Sequence, residues 1–197
     1  GQRVTMASQM SEADETVSSL YSVKSEQATM LSFDTYNYLV HYFGQPQGSM
    51  SDDPNGTLGG DYEFIISSAS AERIELKGKK YGNRIVMKAL TEDQTWKQYL
   101  TKIKKVEDDA FFYEYDLLMD GLYTGQMLRS NYTFIVTYYD EIGKVHQKTV
   151  PFMFTADGLR FHEPVTIDGQ TMQNFVWKNE LISFVCTDEG ATGVKLA

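Results

Sequence analysis

The sequence predicts a mainly β protein: antiparallel curved sheets, in a lipocalin-like or partial-barrel arrangement, with one packed amphipathic helix. Three observations carry this. Aromatic residues are abundant, with 13 Tyr, 11 Phe and 2 Trp among 197 residues, and Tyr and Phe fit the half-buried pleated surface of strands. Short runs alternate apolar with polar residues and are separated by turn dipeptides. A single segment carries a helical apolar stripe instead.

In chain order, Gly1-Gln2-Arg3-Val4-Thr5 reads as an edge strand. Thr35–Phe43 reads as a short helix, with Tyr36, Leu39, Val40 and Phe43 on one face. The stretch 44–60 holds two prolines and five glycines and reads as a long loop. Tyr62–Ile66, Arg73–Lys77 and Arg84–Lys88 form a predicted antiparallel meander. In its second run Ile74 and Leu76 face one way and Arg73, Glu75 and Lys77 the other, so one face is wet. Lys79–Asn83 is the tight connection, with Gly82 free to take positive φ.

Thr91-Glu92-Asp93-Gln94 matches a capping box, and Trp96, Tyr99, Leu100, Ile103 and Val106 follow on one stripe. This predicts a helix over Glu92–Val106, with Asp93 in the first turn and Lys104 and Lys105 in the last, as the helix dipole favours. Phe111–Met119 fits a strand and a helix equally well. Tyr132–Tyr139, Lys144–Thr155, Gln170–Lys178 and Leu181–Thr187 read as strands, with Asp140–Gly143, Asp157-Gly158 and Asp168-Gly169 as turns. Pro151 and Pro164 are expected at strand ends or edges. The tail beyond Thr187 has little pattern. Tyr62–Ile66 and Tyr132–Val136 look alike, as an internal repeat or by chance. The chain therefore divides into 2–90, an N-terminal β unit, and 91–197, the helix with a C-terminal β unit, packed separately or as one domain.

Function is narrower by exclusion. Asp and Glu number 27 against 18 Lys and Arg, for a net charge of −9. That argues against sequence-independent nucleic-acid binding and against electrostatic anchoring on an anionic membrane. No apolar run approaches the ~18 residues of a membrane span. The single cysteine, Cys186, excludes an intrachain disulfide and sits in an apolar run, so it reads as a buried small hydrophobe.

The three histidines, His41, His146 and His162, share no local spacing, and no metal site is expected from them. Ser51–Gly56 faintly resembles a calcium loop, but Tyr62 stands where a bidentate Glu belongs. No Gly-x-Ser-x-Gly elbow, catalytic cysteine signature or phosphate-binding glycine loop is present. Paired carboxylates, such as Glu114 with Asp116, leave a glycoside hydrolase as an alternative. No cofactor is expected, and the chain reads as a non-enzyme.

A binding surface is the more natural use of the tyrosines, which supply large rigid contact area with a polar tip. Tyr36, Tyr38, Tyr42, Tyr81, Tyr113, Tyr115 and Tyr139 are the candidate ligand-binding residues, for a glycan or another small ligand.

Four segments carry a family resemblance: Leu31–Asn37, His41–Phe43, Gly59–Ile65 and Leu76–Asn83. They resemble the Bacteroidetes lipoproteins classed as domain of unknown function 4302, and Asp157–Pro164 is consistent with them. That resemblance implies no catalytic residues. It implies a precursor with a signal peptide, an upstream lipid-bearing cysteine and further N-terminal sequence. It also implies a place in the cell envelope, periplasmic or at the surface, where such proteins often accompany glycan- and nutrient-uptake systems. The expected function is a non-catalytic envelope binding module, with a structural accessory of an outer-membrane complex as the alternative. The expected partners are a glycan or another envelope protein.

Overall fold

The computed structural model describes residues 1–25, 27–46, 58–91, 93–140 and 142–197. The Ser51–Gly56 stretch with its faint resemblance to a calcium loop lies outside them. The chain is mainly β, as expected, and forms two units, Gly1–Gln98 and Tyr99–Ala197.

The first unit is a six-stranded antiparallel sheet in sequential order. Its strands are β1 (Gln2–Met6), β2 (Val17–Ser25), β3 (Thr29–Phe33), β4 (Glu63–Ala69), β5 (Arg73–Gly78) and β6 (Arg84–Lys88). The expected meander is β4–β6, and β1 is the expected edge. Met30, Phe64 and Leu76 are buried, and Phe33 packs edge-to-face on Phe64 at 6.3 Å.

Between β3 and β4 runs α1 (Tyr38–His41), continued by a 3-10 turn over Tyr42–Gly44. This is shorter than the predicted Thr35–Phe43, because Asn37 stops the helix at its start. Asn37 is extended, fully buried and accepts the Leu39 N–H on its side chain, as an N-cap does. Its amide donates to Ser19 Oγ at 3.1 Å, tying α1 to β2.

The helix α2 (Trp96–Asp109) begins four residues later than predicted. Its capping box is Thr95-Trp96-Lys97-Gln98. Thr95 Oγ1 accepts the Gln98 N–H at 3.3 Å, and Gln98 Oε1 accepts the Thr95 N–H at 3.0 Å. The expected box at Thr91 is only a turn, in which Gln94 N–H donates to Thr91 O. Asp93 therefore precedes the helix. Lys105 lies a full turn inside its end, paired with Asp109 at 2.7 Å. Leu100, Ile103 and Val106 are the buried stripe.

The second unit is a closed eight-stranded barrel. Its strands are β7 (Glu114–Met119), β8 (Leu122–Ser130), β9 (Thr133–Tyr139), β10 (Val145–Phe154), β11 (Gly158–Ile167), β12 (Gln170–Lys178), β13 (Ser183–Cys186) and β14 (Val194–Leu196). Each pairs with its sequence neighbour, and β14 closes on β7 through Val194↔Met119 and Leu196↔Leu117. The tail read as patternless thus completes the barrel, with Val194 and Leu196 fully buried. Of the ambiguous Phe111–Met119, Glu114–Met119 is a strand and the first three residues lead into it. The look-alike runs end up in different architectures, an open sheet and a closed barrel.

Eight strands leave an interior just wide enough for side chains to fill, and here phenylalanines fill it. Phe134 stacks on Phe152 at 4.2 Å, and Phe161 lies 5.0 Å from Phe175. Burying each such ring contributes roughly 1.5–3 kcal/mol. Cys186 is 2% exposed, and burial pushes its thiol up to about 11.

Asp168-Gly169 forms the predicted hairpin turn, both residues left-handed at φ 49° and 73°. Asp157-Gly158 does not. Gly158 already lies in β11 opposite Val176, where a side chain would overlap the Phe175 carbonyl. It is a glycine for close approach, not for turning. Pro164 sits at the irregularity between Arg160 and Val165. Pro151, expected at a strand end or edge, lies within β10 opposite Thr133, just before pairing with β11 begins at Phe152.

Candidate functional site

A cleft of about 350 Å³ opens in the first unit where three pieces of chain meet. The 3-10 turn supplies Gly44, the approach to β4 supplies Gly60 to Glu63, and the β5–β6 connection supplies Lys79 to Tyr81. Backbone hydrogen bonds join the pieces. Gly60 N–H donates to Phe43 O at 2.9 Å, Phe33 N–H to Tyr62 O at 3.2 Å, and Lys79 N–H to Glu63 O at 2.9 Å.

Asp61, only 7% exposed, organises the wall. One carboxylate oxygen accepts the Lys80 N–H at 2.7 Å and the Tyr81 N–H at 3.2 Å, and the other accepts the Asn83 amide at 3.1 Å. A buried carboxylate is tolerated when such donors surround it. Asn83 also donates to Gly59 O at 2.5 Å, clamping the connection to the approach of β4. Asp61 is therefore a scaffold for the loop.

The mouth is aromatic and charged. Tyr62 is 45% exposed, and His41 stacks on it at 5.0 Å and 16°. His41 is itself flanked by Tyr36 at 5.4 Å and fixed by its Nδ1, 2.9 Å from Asn37 O. Tyr62 is thus held as a backed platform. Glu63 pairs with Lys79 at 3.0 Å, and the Lys80 ammonium lies 4.6 Å above the Tyr81 ring.

Of the predicted tyrosines, Tyr81 lines this cleft, and Tyr36 stands one ring behind it. Tyr38 belongs to α1, but its phenol donates to Glu15 at 2.5 Å, a bond that raises its pKa. Tyr42 is 37% exposed and packs edge-on to Phe43. In the second unit, Tyr113 is exposed beside Phe111, and Tyr139 is exposed at the end of β9.

Tyr115 is a correction. It is 2% exposed inside the barrel, its hydroxyl donates to Ala110 O at 2.5 Å, and burial pushes the phenol up to about 12. It packs against Phe134 and Phe184, so no ligand reaches it. Within β7, Tyr115 alternates with Leu117 and Met119 on the buried face.

Sequence reasoning missed Asp61, Tyr62, Glu63, Lys79 and Lys80 as site residues. The available signal was the pair of glycine-flanked segments, Gly59-Gly60-Asp61-Tyr62 and Gly78-Lys79-Lys80-Tyr81-Gly82-Asn83. Both lie in segments that carry the family resemblance; the other two, Leu31–Asn37 and His41–Phe43, lie behind the cleft wall, through Phe33 N–H on Tyr62 O, Gly60 N–H on Phe43 O and the His41 stack on Tyr62.

Among the described residues, no three of His, Cys, Asp and Glu gather as a metal-ligand set. No helix among them is long and apolar enough to cross a membrane. Residues 1–179 match the sequence profile of a family described as Domain of unknown function (DUF4302). No curated protein and no solved structure matches the chain.

Proposed function

The chain belongs to the DUF4302 family, and from that premise we propose that it is a non-catalytic, glycan-binding module of a bacterial cell-envelope lipoprotein, with the cleft around Tyr62 as its site. The observation that carries the reading is the backed tyrosine. A half-exposed ring held from behind by His41 offers a rigid flat surface at little cost in side-chain entropy, as a sugar ring requires. Glu63, Lys79 and Tyr81 around it supply the polar groups that orient a small ligand.

A binding role is favoured over hydrolysis because the cleft's carboxylates are engaged structurally. Asp61 accepts hydrogen bonds from the loop and Glu63 is paired with Lys79, whereas a glycosidase needs two carboxyl groups facing the scissile bond. The envelope location and the upstream lipid anchor rest on the resemblance to Bacteroidetes lipoproteins. A second reading, docking on another envelope protein, is favoured by β6, where Ile85, Val86 and Met87 are all exposed at the edge of the sheet.

The test is a glycan-array screen of the purified chain beside Tyr62→Ala and Tyr81→Ala. The reading expects wild-type signal on a restricted set of glycans, lost in Tyr62→Ala. Silence across the array, or signal unchanged in both variants, overturns it. Pull-down of a single envelope protein dependent on Val86 and Met87 would favour the second reading.

A further inference from the structure

We propose that the ligand is an acidic polysaccharide, whose carboxylate or sulfate groups are read by a basic face of β5 and β6 that continues from the cleft. This rests on the cleft reading above. In the antiparallel register, Arg73 lies opposite Lys88, Glu75 opposite Val86 and Lys77 opposite Arg84. Cross-strand partners share a face. That face therefore carries four cations and one carboxylate, while Ile74, Leu76, Ile85 and Met87 take the other.

Two features make this more than a solvated strand pair. First, both cation pairs are like-charged and directly opposed, an arrangement that destabilises a sheet. Glu75 relieves only part of it, reaching Arg73 at 2.7 Å and Arg84 at 3.5 Å. Lys77 and Lys88, both exposed, stand at diagonal corners. Second, the patch is basic on a chain of net charge −9. With screening over ~8 Å at physiological salt, a ligand on this face meets the local charge more than the distant excess of acid.

The two pairs are four residues apart along β5, about 13 Å at roughly 3.3 Å per residue. Lys79, at the cleft's rim, follows directly on the Lys77 end of that strand and is paired there with Glu63 of β4. A polymer with one sugar on Tyr62 and its acidic groups spaced along the β5–β6 face would meet both. An anionic membrane offers negative charge with no ring for the tyrosine platform; a nucleic acid, whose bases can stack on tyrosine, is the competing polyanion, and the cleft reading on which this rests favours the acidic glycan.

The experiment measures binding of the full chain to a polyuronate (alginate oligosaccharides), a neutral glucan, a single-stranded DNA of matched charge and phosphatidylglycerol vesicles. It compares wild type, Tyr62→Ala and the double variant Lys77→Glu/Lys88→Glu. The expected result is polyuronate binding that weakens with salt and falls about tenfold or more in the double variant. The melting temperature should hold or rise, since each new Glu then faces an Arg. Binding of the neutral glucan at equal strength, or a double variant that binds as wild type, overturns the proposal while leaving the cleft reading standing. DNA or vesicles bound more tightly than the polyuronate overturns it in favour of that polyanion. Polyuronate binding that follows the lysines and ignores Tyr62 overturns the cleft reading instead. No binding to any probe overturns the proposal.

Discussion

Asp61 and Gly78 occupy one space. A side chain added at Gly78 would overlap the Asp61 carboxylate, which fills that volume in order to hold the Lys80 and Tyr81 N–H groups. The glycine and the acid are a matched pair on neighbouring segments, and together they set the wall of the cleft.

Gly78→Ala should therefore displace Asp61 and destabilise the chain by about 1–3 kcal/mol, as overpacking does. Asp61→Ala should cost a similar ~1–3 kcal/mol by leaving buried donors unpaired. The double variant should cost less than the sum, because the Ala methyl at 78 would enter the space vacated by the carboxylate. Urea unfolding of the three variants measures this, and strict additivity would refute the coupling.

Asp188 supports a different clamp, in the barrel. Its carboxylate accepts the Gln173 N–H at 2.6 Å and the Asn174 N–H at 2.7 Å, together with the Asn174 amide. Burial raises its pKa, but these donors more than offset that and leave it below 3.8. A depressed native pKa contributes stability above the unfolded-state value, and that contribution fades as pH falls through the native value. Asp188→Asn should cost about 1.5–3 kcal/mol at pH 7. The gap from wild type should begin to narrow as pH falls through the unfolded-state carboxylate value and go on narrowing to the native one. A gap that is constant from pH 7 to pH 2 would show that the charge plays no part.

Arg129 joins α2 to the barrel. Its side chain is 8% exposed and bonds Glu107 at 3.0 Å, and the faces of Phe111 and Phe154 lie 5.2 and 5.0 Å from the guanidinium. Removing one partner strands the other, so Glu107→Leu or Arg129→Leu alone should destabilise by about 3 kcal/mol. The double Leu variant should recover much of that loss. Thermal unfolding of the cycle decides it, with equal or greater loss in the double variant contradicting the account.

Cys186 should resist thiol reagents in the folded chain. Its thiol is buried in β13 and raised to about 11, so little thiolate exists near neutral pH. Labelling should accelerate sharply in denaturant, in step with the unfolding transition. Rapid labelling of the native chain would contradict the burial.

Strands whose apolar residues alternate were legible in the sequence: β4–β6, β9, β10 and β12 stand close to where the pattern puts them. Those that alternate weakly were not. β2 is serine-rich, β8 is interrupted by Gly125, and β14 is three residues whose burial comes wholly from closing on β7. The helix start slipped by four residues because Thr-Glu-Asp-Gln and Thr-Trp-Lys-Gln carry the same local signature, and only packing chooses between them. For the site, Tyr81 was legible as a loop tyrosine, whereas Tyr115 was misjudged because strand parity alone does not say which face is inward. Tyr62 escaped because its role comes from His41, 21 positions away.

The central claim is that ligand enters the cleft against Tyr62. Backbone amide NMR of the labelled chain, titrated with the best oligosaccharide from the array, tests it most directly. The account predicts shifts concentrated at Gly60–Glu63 and Lys79–Asn83, with an affinity that collapses in Tyr62→Ala. Shifts confined to the barrel, or a titration unaffected by that substitution, would contradict it.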